Sequence, residues 1–185
     1  MPEPETASTD FAAAVGARVR ELRERRGMSL GALAKATGVG KGTLSELESG
    51  RRNPTLATLF AITTALEVPI GAALAAAKPA QGDAEPVRGD AIEAALVDRF
   101  DDASAVSELY RVTMFAGREQ YSEPHSEGVT EHWIVYSGAV ELGPLDATVS
   151  LGPGESTSFT ADVPHRYRVL SDEDVLATLL FRYPR

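Results

Sequence analysis

The chain contains no cysteine, which excludes disulfides and thiolate metal sites and is compatible with a reducing compartment. It has no apolar run of membrane-spanning length. Its first ten residues, MPEPETASTD, lack the basic start and apolar stretch of a secretory signal. A soluble cytoplasmic protein with no membrane association is therefore expected, with residues 1–10 disordered. Aromatic residues are scarce at 6%, yet the hydrophobic fraction of 43% is that of a globular protein, and 185 residues suffice for one ordinary domain or two small ones.

A formal net charge of −9 argues at first sight against a polyanionic partner, but the charge is unevenly placed. Residues 11–77 hold nine Lys/Arg against five Asp/Glu, a net of +4. Residues 78–185 hold nine against nineteen, a net of −10. Phosphates would repel the second half, so only the first can lie against a nucleic acid.

The stretch organising that first half is Ser29 to Pro54, SLGALAKATGVGKGTLSELESGRRNP. Ser29 can cap free backbone N–H groups, and Leu30, Leu33 and Ala34 recur at helical spacing behind it, so a helix is predicted to about Thr37. Gly38 supplies a left-handed stop, Val39 turns inward as a small apolar plug, and Gly40 opens a second helix. There Leu44 and Leu47 face a core, which leaves Lys41, Gly42, Thr43, Ser45 and Glu46 outward. Gly50 ends the helix before the basic loop Arg51, Arg52, Asn53.

The pattern LxxLAxxxGVxxxTLSxLExG in this stretch resembles the lambda-repressor-like helix-turn-helix of XRE-type regulators, over residues 11 to 77. The resemblance implies that the start of the second helix touches base edges while flanking groups hold phosphates. Lys41, Gly42, Thr43 and Glu46 then become base-edge candidates, with Ser45 on the same DNA-binding face; Ser29, Arg51, Arg52 and Asn53 become phosphate candidates. One departure is Leu30, at a position where such repressors often carry a polar phosphate contact, which shifts anchoring toward the basic loop. The alternative is a helical hairpin used only for packing or for gripping another protein.

Around this stretch, Phe11, Val15, Val19 and Leu22 mark an amphipathic helix ending near Gly27. Arg18, Arg20, Arg23, Arg25 and Arg26 are spread over its other faces as solvated groups or phosphate contacts. Pro54 suits the first turn of a fourth helix carrying Leu56, Leu59, Phe60, Ile62, Thr63 and Leu66, and Pro69 starts a fifth through about Ala76. A five-helix bundle with a small alanine- and leucine-rich core is expected over residues 11–77. KPAQGDAEPVRGD, residues 78–90, reads as a linker. Residues 91–185 change texture to short runs rich in Val, Leu, Tyr, Phe and Thr: SELYRVTMFA, EHWIVYSGAVELG, ATVSLGPGESTSFT, HRYRVL and VLATLLFRY. These predict strands of a sandwich or closed barrel.

Two segments of that region carry candidate ligands. Strand alternation through PHSEGVTEHWIVYSG puts His125, Glu127, Glu131, Trp133 and Val135 on one face, provided Gly128 does not shift the register, with His132 outward. In LGPGESTSFTADVPHRY, Phe159, Ala161, Val163, His165, Tyr167 and Val169 share a parity. Two histidines and one or two carboxylates on an inner face could hold a divalent first-row metal.

These segments resemble the two motifs of the cupin fold, a small jelly-roll-like β-barrel, over about residues 103 to 182. His125, Glu127, Glu131 and Gly138 stand at the first motif's positions, Glu127 replacing its second histidine. Gly154 and His165 bound the second motif, with Thr160 and Asp162 in place of its inner proline and glycine. The resemblance implies a metal site of His125, Glu127, Glu131 and His165 for Zn, Mn, Fe or Ni, or else a metal-free pocket walled by the two histidines. Trp133, Phe159 and Tyr167 are candidates for an effector pocket or for plain core. Together the two resemblances imply a sequence-specific transcriptional regulator that binds double-stranded DNA as a homodimer, with a sensor barrel for a small molecule or metal. The alternative is a metal-dependent cupin enzyme, an oxygenase or isomerase, with an appended DNA-binding domain.

Overall fold

The computed structural model describes residues 4–74 and 86–185. The chain divides into two compact units between residues 85 and 86.

Among the described residues, the first unit has five helices: α1 (Pro4–Arg25), α2 (Leu30–Thr37), α3 (Lys41–Glu48), α4 (Leu56–Ala65) and α5 (Ile70–Leu74). Helix α1 begins at Pro4, so residues 4–10 are helical rather than disordered; proline suits a first turn, where its missing N–H has no helical partner. Ser29 caps α2, its Oγ accepting from the Ala32 amide, and Gly38 ends that helix at φ 69°. Pro54 lies outside the fourth helix, which is capped instead by Thr55, whose side chain accepts from the Thr58 amide. Helix α5 is described to Leu74, and the expected continuation to Ala76 lies outside the described residues.

Leu33, Leu44, Leu47, Leu59, Ile62 and Leu66 are fully buried, together with Val15 and Val19 of α1. Gly16 lets α1 approach the end of α3 closely, for a Cβ there would meet the Leu47 carbonyl oxygen at 2.1 Å. Phe11, Val39 and Phe60 are half-buried.

The second unit has ten strands, all paired antiparallel: β1 (Val87–Arg88), β2 (Ile92–Asp101), β3 (Ala105–Met114), β4 (Glu119–Ser122), β5 (Thr130–Ser137), β6 (Val140–Pro144), β7 (Val149–Leu151), β8 (Ser156–Thr160), β9 (His165–Val169) and β10 (Val175–Pro184). They form a six-stranded sheet in the order β1-β2-β3-β10-β5-β8 and a four-stranded sheet in the order β4-β9-β6-β7. Strand β1 lies inside the stretch expected to be linker, of which residues 78–85 are outside the described residues. Strands β2 and β4 were not among the expected runs. Charge and alanine dilute the apolar pattern of IEAALVDRFD, and EQYS is too short to show one. The core between the sheets takes Tyr110, Val112 and Met114 of β3, Trp133 and Val135 of β5, Leu142 of β6 and Ala177, Leu179 and Phe181 of β10.

Candidate functional site

Two groups of residues stand out, one in each unit. In the helical unit, Leu44 and Leu47 are buried and hold α3 against the core. Lys41, Gly42, Ser45 and Glu46 are exposed and Thr43 is half-buried, the outward row that the spacing predicts. Ser29 is exposed, with its hydroxyl engaged as the α2 cap. Arg51, Arg52 and Asn53 are exposed beyond the end of α3. Arg52 reaches Glu46 at 3.4 Å, a solvent-exposed pair. Among the described residues, Lys35, Lys41 and Arg51 have no ion-pair partner, which leaves three cations on this unit uncompensated.

The four arginines of α1, and Arg26 just beyond its end, behave differently, because each is tied within the unit. Arg18 bonds Glu21 and the Ala72 carbonyl, and Arg20 bonds Glu24. Arg25 bonds Glu21, and Arg26 bonds the Leu66 carbonyl and Glu67. Arg23 forms a two-pronged pair with Glu48 at 2.6 and 2.9 Å, and also donates to the Met28 carbonyl at 2.7 Å. With side chains only 11% and 8% exposed, that pair fastens the C-terminal end of α3 to α1 and sets its angle. Periodicity flagged these arginines as a group. It could not separate them, because the carboxylate that takes each one lies on another turn or another helix.

In the barrel, His125, Glu131 and His165 converge. One ligand atom from each lies within 4.8 Å of the others, and all three residues are buried. Glu131 comes from β5, whose alternation turns Glu131, Trp133 and Val135 inward and His132 outward. His165 opens β9. His125 sits in the loop before β5, where its amide donates to the Ala161 carbonyl at 2.9 Å and the Ala161 amide donates to the Val129 carbonyl at 2.8 Å. The Gly128 amide donates to Asp162 Oδ2 at 2.9 Å. Asp162, a departure from the family pattern, thus pins the turn that carries His125.

That turn overturns one expectation. Strand alternation does not extend back through Ser126–Val129, which is a turn closed by the Val129 amide on the Ser126 carbonyl, so Glu127 is exposed and stands outside the cluster. Val163 likewise leaves the inward row, at 40% exposed, because it precedes β9. Phe159 is half-buried with its ring 5.7 Å from that of His165. Sequence reasoning missed Phe181, whose ring lies 5.4 Å from that of His125; the alternation in VLATLLFRY could have supplied it.

Glu131 is the electrostatic centre. Trp133 Nε1 donates to its Oε2 at 2.7 Å, and the Tyr167 hydroxyl lies 2.8 and 3.0 Å from its two oxygens. Nε2 of His125 and of His165 stand 3.2 and 3.3 Å from Oε1. Burial alone would raise the carboxyl pKa, but the two histidines outweigh it and hold it at about 2. Burial likewise opposes the charged form of His165, yet the Glu131 carboxylate and the Val163 carbonyl raise its pKa above the ordinary value. Burial beside the Glu131 charge pushes the Tyr167 hydroxyl well up, so it stays a donor.

His165 Nδ1 lies 2.8 Å from the Val163 carbonyl, an acceptor only, so that nitrogen carries a proton. Nε2 then faces a carboxylate oxygen while remaining buried and outside hydrogen-bonding geometry. A lone pair facing a carboxylate is favourable only with positive charge between them, either an imidazolium proton or a bound cation. Two imidazoles and a carboxylate around such a nitrogen are a donor set that fits a divalent first-row ion.

Residues 19–72 match the helix-turn-helix family and residues 111–181 the cupin domain family. The HTH-type transcriptional regulator SutR of Escherichia coli (strain K12) is 34% identical over 169 residues, 90% of this chain and 93% of that protein. The uncharacterized HTH-type transcriptional regulator RghRB of Bacillus subtilis (strain 168) is 31% identical over 105 residues, 56% of this chain and 69% of that one. In solved structures, an HTH_3 family transcriptional regulator from Vibrio cholerae superposes with a TM-score of 0.79 at 26% identity, over 96% of this chain and 99% of its own.

Proposed function

Because the chain belongs to the family of helix-turn-helix transcriptional regulators that carry a cupin domain, we propose that it reads a specific duplex sequence through α3, under control of an effector bound in its barrel. The observation that carries this reading is the row Lys41, Gly42, Ser45, Glu46, exposed on a helix whose other face is anchored by Leu44 and Leu47. Lys41, Thr43 and Glu46 are assigned to base edges, where the backbone of Gly42 allows close approach. Ser29, Arg51, Arg52 and Asn53 are assigned to phosphates. The Glu46–Arg52 pair, exposed and 3.4 Å apart, exchanges its internal partner for a base edge and a phosphate at little cost.

One helix of this size reads few base pairs. The protein therefore works as a homodimer on half-sites about 34 Å apart or a multiple of that, in the cytoplasm.

In the barrel, His125, Glu131 and His165 would hold a divalent ion, and such an ion would supply a Lewis-acidic contact for an effector's oxygen or nitrogen. Trp133 and Tyr167 fix the carboxylate for that task by donating to it. Phe159 and Tyr167 supply ring faces beside His165. The effector acts only through its differential affinity for the arrangements in which the two reading helices do or do not match the half-site spacing. A sensing role is preferred to a catalytic one because the relative matched over 90% of this chain is named a regulator.

Selection of bound sites from random duplexes tests the reading. One enriched palindromic sequence is expected, and replacing Lys41, Thr43 and Glu46 together removes the enrichment while the fold persists. An unchanged operator and affinity in that triple variant would overturn it. Metal analysis tests the second arm: His165→Ala should come out metal-free and Glu127→Ala should retain the ion of the parent protein.

A further inference from the structure

Of the two carboxylates in α3, Glu48 is turned onto Arg23 and nearly closed to solvent, while Glu46 faces out with the reading row. Its neighbours on that row differ from it in hydrogen-bonding character. The Lys41 ammonium only donates, and the Thr43 and Ser45 hydroxyls donate or accept, whereas a carboxylate only accepts. Glu46 is also the row's one negative charge, and a duplex carries one negative charge per ~1.7 Å of its length. Such a group is repelled from a groove unless a base donates to it and a cation stands close by.

The cation is supplied by the way α3 ends. The Gly50 amide donates to the Leu47 carbonyl and the Arg51 amide to the Glu46 carbonyl, both at 2.9 Å, with Gly50 at φ 71°. These two bonds reverse the chain at the end of the helix. Close packing locks the reversal, since a Cβ on Gly50 would stand 2.7 Å from the Ala13 Cα. Arg52, six residues on, is thereby returned to Glu46, with 3.4 Å between guanidinium nitrogen and carboxylate oxygen. When the guanidinium turns to a phosphate, the same reversal keeps it close, and it neutralises a charge that would repel the carboxylate.

Space for the carboxylate is left at Gly42. A helical side chain leans back over the preceding turn, so Glu46 lies toward residue 42. Neither backbone nor packing asks for glycine there. Its φ is outside the left-handed region, and beyond its chain neighbours and its own helix backbone no described heavy atom lies within 4 Å of where a Cβ would stand. A poor helix former in the first turn of α3 is accounted for by what approaches from outside.

From this we infer that Glu46 reads the amino group of a cytosine, across the gap at Gly42 and under the compensating charge of Arg52. The inference rests on the regulator reading above and names a base which that reading leaves open. In the major groove guanine presents two acceptors, and thymine an acceptor and a methyl group, so both refuse a carboxylate. Adenine sets its amino group beside the acceptor N7, which opposes the second carboxylate oxygen. Cytosine offers its amino group with no acceptor next to it.

Site selection from random duplexes by the full chain, repeated with variants, tests this. One cytosine in each half-site should become adenine in the Glu46→Gln selection, because an amide accepts from N6 and donates to N7, while the other positions stay. Thymine in place of that cytosine should weaken the parent protein about tenfold and Glu46→Ala by less than about twofold. Arg52→Ala should cost the parent about tenfold in affinity but Glu46→Gln only about threefold, since a neutral amide needs no compensating charge. Glu46 and Arg52 are exposed, so the helicity of each variant should match the parent's. Should a variant fold poorly, the parent protein still decides: pyrimidin-2-one, which lacks the amino group, should weaken binding about tenfold at one operator cytosine per half-site. Selections in which no position follows residue 46, equal losses from Arg52→Ala in both backgrounds, or an operator indifferent to pyrimidin-2-one at every cytosine would each overturn the inference and leave the regulator reading standing. A parent protein that selects no sequence at all would overturn both.

Discussion

In the helical unit the polar side chains that matter stand on top of an apolar core, whereas in the barrel they form part of the core itself. Lys41, Ser45 and Glu46 are exposed above Leu44 and Leu47; His125, Glu131 and His165 are buried among Trp133, Tyr167 and Phe181. A surface constellation can change its partner without touching the fold. A buried one cannot, because its charges were taken out of water when the chain folded and must be answered by one another. The chain carries a means of watching the two units separately. Its single tryptophan and all five tyrosines lie in the barrel, while the helices lie in the first unit, so tryptophan fluorescence follows one and far-ultraviolet helicity the other.

The largest effect is expected from Glu131→Ala. Trp133 and Tyr167 would lose their acceptor and the two histidines the charge they face, and breaking a buried pair from one side typically costs about 3 to 5 kcal/mol. Denaturation followed by Trp133 fluorescence should show that loss while the helical signal unfolds as before. Equal shifts in both signals would break the comparison, since the two units would then fold as one.

Arg23→Ala comes next and exposes an exception within the helical unit. Its pair with Glu48 is the one arginine contact of α1 that is nearly closed to solvent on both sides. Removing it should cost about 3 kcal/mol, read in helicity and not in tryptophan fluorescence. Operator affinity should fall with it, because the end of α3 loses its fastening. Arg20→Ala and Arg25→Ala, whose partners are exposed, should change neither stability nor binding.

That exception shows where sequence reasoning reached and where it stopped. The α3 face was legible because helical period and burial coincide: once Leu44 and Leu47 are assigned inward, 100° per residue places every other side chain. His125 and His165 were legible as types in motifs. Glu127 was misassigned because alternation holds only where the backbone is extended, and the turn at Ser126–Val129 interrupts it. Residues 4–10 were misread because their composition is polar, while helix continuation from the following turns is cooperative and Pro4 provides a start. The Arg23–Glu48 pair and the Asp162 clasp on Gly128 join residues 25 and 34 positions apart, and no local pattern announces such contacts.

A third prediction uses acidity to separate the two depths. The Glu131 carboxyl is depressed from 4.5 to about 2, so its contribution is complete above pH 4.5 and is lost as pH falls through 2; a shift of that size is worth about 3 kcal/mol. His165 is raised above 6.5, so its contribution is complete below pH 6.5 and is lost as pH rises through its folded value. Metal-free barrel should therefore be most stable between about pH 4.5 and 6.5, with its tryptophan-monitored midpoint declining on either side. His165→Gln should flatten the alkaline decline and, because His165 helps to hold the Glu131 carboxyl down, shrink the acid one without abolishing it. A parent barrel whose midpoint rises steadily from pH 6 to 8 would contradict the pairing.

The smallest effect belongs to the surface. Arg51 has no ion-pair partner among the described residues and is exposed, so Arg51→Ala should leave both unfolding signals unmoved. If its guanidinium meets one phosphate, the slope of log affinity against log salt should become shallower by about 1, equally for specific and random duplexes. Arg20 is the control of matching charge: it is already answered by Glu24 at 2.9 Å, so Arg20→Ala should leave the slope alone. The opposite result, a slope that changes with Arg20 and not with Arg51, would put the duplex against α1 and take the reading surface away from α3 altogether.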